Sequence, residues 1–474
     1  MNNSPASLPR IRGLAFALAI ATLSGCASFS QDGGFSNVER TTRERTGKDI
    51  QWIRNSTDQN TVEMRVAELL KKPLSVDDAV QIALLNNKGL QASYAELGIA
   101  EADLVQAGRL RNPTFSFGRL TRGGEIEYER KLMLPILGLL TMPITTRIER
   151  RRFEQAQLRA ASDVLRVADD TRRAWISAVA AQETAQYLEQ VKTAAEAGAE
   201  LAQRMAAVGN WSKLQQAREQ SFYADTIARW ARSRQSAAAE RERLIRLLGL
   251  WDNRAEIKLP ERLPNLPQAP REIGDVEEQA MQNRFDLMIA RRELSGLADS
   301  LGLTKMTRFI NVLEIGYQRN TSNEQLRQIG YEIELQIPLF DWGGARVARA
   351  ESVYMQAVNR TAELAVNVRS EAREAYASYR IAYDIAKHYR DEVIPLKKRV
   401  SDEQLLRYNG MLISVFALLA DARSQVASVN ASVEALRDYW IADSALQMTL
   451  TGRSAAGVAM AAPKKDAAAE GAGH

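Results

Sequence analysis

Between Tyr331 and Ile337 apolar and polar positions alternate without exception. Tyr331, Ile333, Leu335 and Ile337 lie on one side, and Glu332, Glu334 and Gln336 on the other. A period of two is the signature of a strand with one greasy face. Pro338 cannot continue a central ladder and Gly343-Gly344 interrupt the chain, so the pattern predicts that the strand stops there. The period then lengthens. Apolar or small residues recur in steps of three and four from Val347 through Tyr354, Leu364, Val368, Ala372, Tyr379 and Ala386 to Val393, which reads as a coiled-coil seam. A helix from Gly344 towards Leu406 would be a rod of roughly 90 Å, and Pro395 should kink it.

The layout occurs twice. A shift of 197 residues superposes Ala83 on Ala280, Asn86 on Asn283, Leu90 on Leu287, Leu97 on Leu294 and Leu104 on Leu301. Each copy, 75–270 and 271–452, predicts a helix, a β-hairpin, a proline exit and a long helical pair. In the first, Ser75 is a predicted N-cap with Asp77 and Asp78 in the first turn, and the helix runs to about Gly108. The hairpin spans 113–134, with its turn at Thr121-Arg122-Gly123-Gly124. A long helix from Thr145 to about Met205 is broken at Gly209-Asn210, and a second runs from Ser212 to Leu248. In the second copy the hairpin spans 307–338, with strands at Thr307–Arg319 and Gln328–Ile337. The long helix reaches Tyr408, Asn409-Gly410 interrupt it, and Leu412–Leu450 follow. Pro260, Pro264, Pro267 and Pro270 mark the link between copies.

Two hairpins give four strands of about the ten residues that a tilted membrane strand needs. Four strands alone leave two open edges, which hydrocarbon does not tolerate. Several chains must then share one barrel: two would make eight strands and a filled interior, three would make twelve and a lumen. On the alternation, Phe115, Phe117, Ile329, Tyr331, Ile333, Leu335 and Ile337 face lipid. Glu125, Glu127, Glu129 and Lys131 face inward with Glu332 and Glu334, an acidic lining that should favour cations. Glu314 interrupts an otherwise apolar run. The competing reading of the same pattern is a pair of soluble hairpins with solvated charged faces.

Composition adds an address rather than a chemistry. Across 474 residues, 63 lysines and arginines meet 58 acids for a net charge of +5, and no compact basic block with interleaved aromatics points to nucleic acid. Residues 1–25 combine Arg10 and Arg12 with an apolar run from Leu14 to Leu23, of signal-peptide length. Leu23-Ser24-Gly25-Cys26 then resembles a bacterial lipobox, which implies cleavage before Cys26 and lipid on that residue, the only cysteine present. Ala27, where an aspartate would signal inner-membrane retention, favours the outer membrane. Residues 26–74 predict an extended arm, with a short helix near Val62–Leu70, and the Ala/Gly/Lys-rich tail 453–474 predicts disorder. Two histidines and one cysteine leave no Cys/His cluster, and no phosphate loop or nucleophile triad appears. No cofactor, metal site or catalytic activity is expected.

Together, the duplicated layout, Ile337-Pro338-Leu339-Phe340-Asp341-Trp342-Gly343-Gly344 and Arg407-Tyr408-Asn409-Gly410 resemble the TolC-like outer membrane efflux proteins over about Leu74–Gly452. That resemblance implies a mainly helical chain whose long antiparallel coiled coils form an α-barrel tunnel. It also implies four strands per chain in a homotrimeric twelve-stranded barrel in the outer membrane of a Gram-negative bacterium. Such a duct docks to a periplasmic adaptor protein and an inner-membrane transporter, and exports small toxic compounds or metal ions; a type I secretion duct is the alternative within the fold. The interruptions at Gly209 and at Arg407, Tyr408 and Gly410 would be the periplasmic tips. The family's acidic ring after the tip is missing, because Met411 to Ala420 contain no acid. A hydrophobic constriction by Phe416 or Leu419 is the expected substitute, against plain helix packing by the same run. A lipid-anchored coiled-coil scaffold or adhesin shares the lipobox and seams but has no use for acid-lined hairpins.

Overall fold

In the computed structural model the described residues are 28–251, 256–310 and 312–453. The expected signal segment, the expected lipidation residue Cys26 and the tail from 454 onward lie outside them. The first departure from the sequence reading follows at once. Where 26–74 predicts an extended arm with one short helix near Val62–Leu70, the chain forms two helices, α1 (Phe35–Thr46) and α2 (Ser56–Leu69), the second covering most of the expected one. Asp32 Oδ2 accepts from the Ser36 amide at 2.8 Å, and Asn55 caps α2 by accepting from Asp58 N. Val38, Ile50, Val62 and Val66 are buried, too widely spaced to read as one periodic face.

Ser75 caps α3 (Val76–Asn86) as expected, its side chain accepting from Asp78 N. The helix does not run on to Gly108. It breaks at Asn87, whose ψ of 119° is extended, and resumes as α4 (Lys88–Ala107). In the second copy α7 (Val276–Asn283) and α8 (Phe285–Met306) break at Arg284, the position 197 residues on. Each break receives the C-terminal end of a long helix. Asn86 Nδ2 donates to the Leu248 and Gly249 carbonyls at 3.0 and 2.8 Å, and Asn87 Nδ2 to Leu247 O at 2.9 Å, satisfying orphan carbonyls at the end of α6 (Lys213–Leu248). In the second copy Phe285 N donates to Gly452 O at 3.0 Å, while Arg45 donates to Asn283 O and Thr451 O at 2.6 and 2.7 Å, closing α11 (Val415–Thr451). Arg284 itself is fully buried and ion-paired with Asp286 and Glu371.

The sheet contains β1 (Thr114–Arg122), β2 (Glu125–Pro135), β3 (Leu313–Ser322) and β4 (Gln328–Leu335), antiparallel in that order. β3 begins at Leu313, not Thr307, because α8 holds the chain helical to Met306 and Thr307 N still donates to Leu303 O at 2.9 Å. β2 passes directly into α5 (Ile136–Ala207), so this helix starts nine residues earlier than predicted and carries Pro143 inside it. β4 instead leaves through a linker before α9 (Gly344–His388). Gly343 in that linker has φ of 71°, and a Cβ there would stand 2.6 Å from the Arg308 carbonyl; both facts require glycine.

Pro395 is handled differently from a simple kink. Tyr389–Val393 form a π-helical turn, after which α10 (Ile394–Asn409) carries the proline at its start. Proline offers no N–H and its ring strikes the carbonyl four residues back; the widened turn immediately before it relieves that clash. Among the described residues no helix is long and apolar enough to cross a membrane.

The chain divides into two units. One comprises the described residues up to Val38, Tyr94–Ala160 and Leu287–Glu363, and holds the sheet; the other comprises Glu39–Ser93, Ala161–Asp286 and the chain from Leu364. In the second unit the seam positions Val368, Ala372, Tyr379, Ala382 and Ala386 are buried against Ala435, Tyr439, Ala442 and Leu446 of α11. Small residues there let the helix backbones approach, with tyrosines filling the gaps between them.

Candidate functional site: the sheet wall and the helix tips

The ladder registers decide which side chains share a face. Glu129 pairs with Gly118 and Asn320, Lys131 with Ser116 and Gln318, Glu332 with Gly316, and Glu334 with Glu314. Because opposed residues point the same way, Glu125, Glu127, Glu129, Glu332 and Glu334 stand on one face, as the alternation predicts. Glu314 joins them. It does not interrupt a run; it belongs to the polar face opposite Glu334. The face is tied together by Lys131 Nζ to Glu332 Oε1 at 2.7 Å, Asn320 Nδ2 to Glu127 Oε1 at 3.1 Å and Ser322 Oγ to Glu125 Oε1 at 2.8 Å.

The opposite face carries Phe115, Phe117, Leu132, Leu134, Ile315, Tyr317, Ile329, Tyr331, Ile333 and Leu335, all exposed. Tyr317 and Tyr331 sit opposite one another with ring centroids 5.9 Å apart. The register adds residues to this face that the sequence reading missed. Arg130 pairs with Phe117 and Arg319, and Arg119 with Tyr128, so three arginines lie on the apolar face towards the turns. Their odd-even parity with Phe115 and Phe117 on β1 was the available signal for Arg119. Arg130 alternates with inward Glu129 and Lys131 on β2, Arg319 shares its parity with Ile315 and Tyr317 on β3, and the inter-strand register agrees with both. β1 and β4 are the two edges, and among the described residues neither pairs on its outer side.

At the other end of the long helices the two interruptions use one hydrogen-bond pattern. Gly209 N donates to Ala206 O at 3.1 Å and Asn210 N to Met205 O at 2.9 Å; Met411 N donates to Tyr408 O at 3.0 Å and Leu412 N to Arg407 O at 2.8 Å. Both are the Schellman arrangement that closes a helix C-terminus. Gly209 takes the left-handed position at φ 78°, but in the second copy Met411 takes it, at φ 57°, and not Gly410. Ser212 then caps α6 with a reciprocal Gln215 box, and Ser414 caps α11 by accepting from Ala417 N.

Arg407 and Tyr408 are exposed at the tip, Arg407 paired with Glu403 at 3.2 Å. Leu419 is half-buried, and a Cβ on Gly198 of α5 would lie 3.8 Å from its Cδ2. That distance places Leu419 against α5. The side chain of Phe416 lies outside the described residues. Beside Leu419, and absent from the sequence-based site, Glu219 is buried and paired with Arg423.

The chain matches no protein-family model and no curated protein. Among solved structures it is similar to a membrane protein from Pseudomonas aeruginosa, at 17% identity over 79% of this chain and 92% of that one, with a TM-score of 0.69. It is also similar to the outer-membrane channel OprN, at 16% identity over 87% and 95%, with a TM-score of 0.67. The Campylobacter jejuni outer membrane channel CmeC aligns at 16% identity over 79% and 85%, with a TM-score of 0.66. The likeness shows the fold: long helices with four antiparallel strands per chain, as the TolC-like resemblance implies.

Proposed function

We propose that this protein is the outer membrane duct of a tripartite efflux system, a passive channel and not an enzyme. The observation that carries the reading is the sheet, with an exposed apolar face, an acidic face and two unpaired edges. In hydrocarbon those edges need partners. Three copies pairing β4 of one with β1 of the next would close twelve strands around a lumen lined by Glu125, Glu127, Glu129, Glu314, Glu332 and Glu334. Lipid on Cys26 would hold the N-terminus at the same membrane. The tips around Gly209, Arg407, Tyr408 and Gly410 would meet a periplasmic adaptor and, through it, an inner-membrane transporter that supplies energy for small toxic compounds or metal ions. Phe416 and Leu419 remain the proposed apolar constriction.

The shared fold with OprN and CmeC supports the channel reading; a coiled-coil scaffold has no use for the two-faced sheet. Purified protein should run as a heat-modifiable oligomer on gels and give cation-preferring steps in planar bilayers. Absence of both heat-modifiable migration and conductance overturns the reading, and anion preference overturns the assignment of the lumen face.

A further inference from the structure

Charge is distributed unevenly between the two ends of the sheet. At the turn end, 121–125 and 322–328 carry Arg122 and Arg327 against Glu125 and Glu324. At the helical end, the stretches 108–113, 136–148, 303–310 and 336–349 carry Arg109, Arg111, Arg147, Arg308, Arg346 and Arg349, with Lys305, against Asp341 alone. Among the described residues none of these six arginines has an ion pair with a carboxylate; Lys305 does, with Glu351 at 2.7 Å. Further from the sheet, Arg151 is paired with Asp299 at 2.6 Å, Arg152 with Glu149 at 2.6 Å and Arg292 with Glu154 at 3.4 Å.

The unpaired cations are gathered in two groups. Thr146 Oγ1 donates to Ala107 O at 3.0 Å, which sets Arg147 level with Arg109. Arg346 donates to Arg308 O at 3.2 Å, and Arg308 Nε to Trp342 O at 3.1 Å. The same stretches carry exposed Leu110, Leu139, Leu140, Phe309, Leu339 and Phe340. From Arg130 to Pro135 the strand rises about 17 Å, and from Pro135 to Arg147 the helix adds about 18 Å. Together, before tilt, these lengths are enough to cross a hydrocarbon core of roughly 30 Å.

Resting on the membrane-wall reading above, we propose that these six arginines form a collar that binds the anionic headgroups of phospholipids in the leaflet on the helical side. A guanidinium offers a planar fork of donors matched to phosphate oxygens, and an anionic leaflet rewards each cation held at its surface. The turns themselves carry balanced charge, and the arginines nearest them, Arg119, Arg130 and Arg319, lie within the strands and not beyond their ends.

The test uses the full chain, reconstituted in nanodiscs of mixed phosphatidylcholine and phosphatidylglycerol and released for native mass spectrometry. The protein should retain phosphatidylglycerol over phosphatidylcholine by on the order of tenfold. Arg109→Gln, Arg147→Gln, Arg308→Gln and Arg346→Gln together should bring that ratio near unity, whereas the same four positions changed to lysine should keep most of it. Each half-set, Arg109→Gln with Arg147→Gln or Arg308→Gln with Arg346→Gln, should remove part of the preference, and so decides the matter if the fourfold variant does not fold. Arg122→Gln with Arg327→Gln should change nothing. No preference in the unaltered protein, or an unchanged ratio in the glutamine variants, overturns the collar. Failure of the unaltered protein to enter any nanodisc overturns the wall reading instead.

Discussion

Arg423 of α11 reaches Glu219 of α6 at 2.5 Å, and only 3% of the Glu219 side chain remains exposed. The guanidinium carbon also stands 4.4 Å from the Phe222 ring centroid. Removing one member of such a pair strands the other in a poorly solvated place. Glu219→Gln or Arg423→Met should therefore destabilise the tip ends of α6 and α11 by about 3 kcal/mol. Glu219→Leu with Arg423→Met should cost less than either single change. Amide hydrogen exchange along these helices measures both; unchanged protection in the single variants would show that the pair holds nothing.

Met411 occupies a backbone region that costs a residue with a Cβ about 1–2 kcal/mol, at the site where the first copy has Gly209. Met411→Gly should stabilise the second tip by about 1 kcal/mol. Gly209→Ala should weaken the first by a similar amount, since a Cβ there meets no atom within 4 Å and only the φ penalty applies. Limited proteolysis at the two loops reports the local stability directly. Slower cleavage at Met411→Gly and faster cleavage at Gly209→Ala are the expected pair of results.

That contrast also marks how far sequence reasoning reaches. Asn409-Gly410 announced a break because glycine is the usual left-handed residue, but a Schellman closure is fixed by which carbonyls the next amides reach, and here they select Met411. The strand Tyr331–Leu335 was legible because its period is local, as was Ser75, whose cap acts within one turn. The start of β3 was not, because Thr307-Arg308-Phe309-Ile310 has strand-like composition while α8 governs the backbone up to Met306. The breaks at Asn87 and Arg284 depend on helix ends some 160 residues away, a relation that no local pattern carries. Arg130 and Arg319 carry the outward parity of their own strands, whereas the Glu219–Arg423 pair emerges only from the packing of α6 with α11.

Asp32 holds the start of α1 through Ser36 and Gly34, and those hydrogen bonds, from Ser36 first, lower its carboxyl to about 2 from 3.8. A lowered carboxyl stabilises the folded form above the unfolded value and loses that contribution as pH falls through the folded one. Protection of the first turns of α1 should thus be flat above about pH 4 and decline towards pH 2. The group is only half-buried, so solvent screening keeps the effect small. Asp32→Asn should remove the acid-dependent part of the decline, which exchange measurements at stepped pH would detect.

On the acidic face Lys131 neutralises Glu332, leaving Glu127 and Glu129 nearer the turn end. In planar bilayers Glu127→Gln with Glu129→Gln should lower the cation-to-anion permeability ratio by about two- to fivefold, and Lys131→Gln should raise it. Reversal potentials in a salt gradient give the ratio. A ratio indifferent to all three changes means that these side chains do not line the conducting path.

The middle ladder joins β2 of one repeat to β3 of the other, and the Ile126 amide meets Asn323 across 197 positions of chain. Closing so large a loop is slow, so the first hairpin forms without a neighbour on that side. Until the second repeat arrives, that half-finished edge is a sticky template on which any other extended chain could pair.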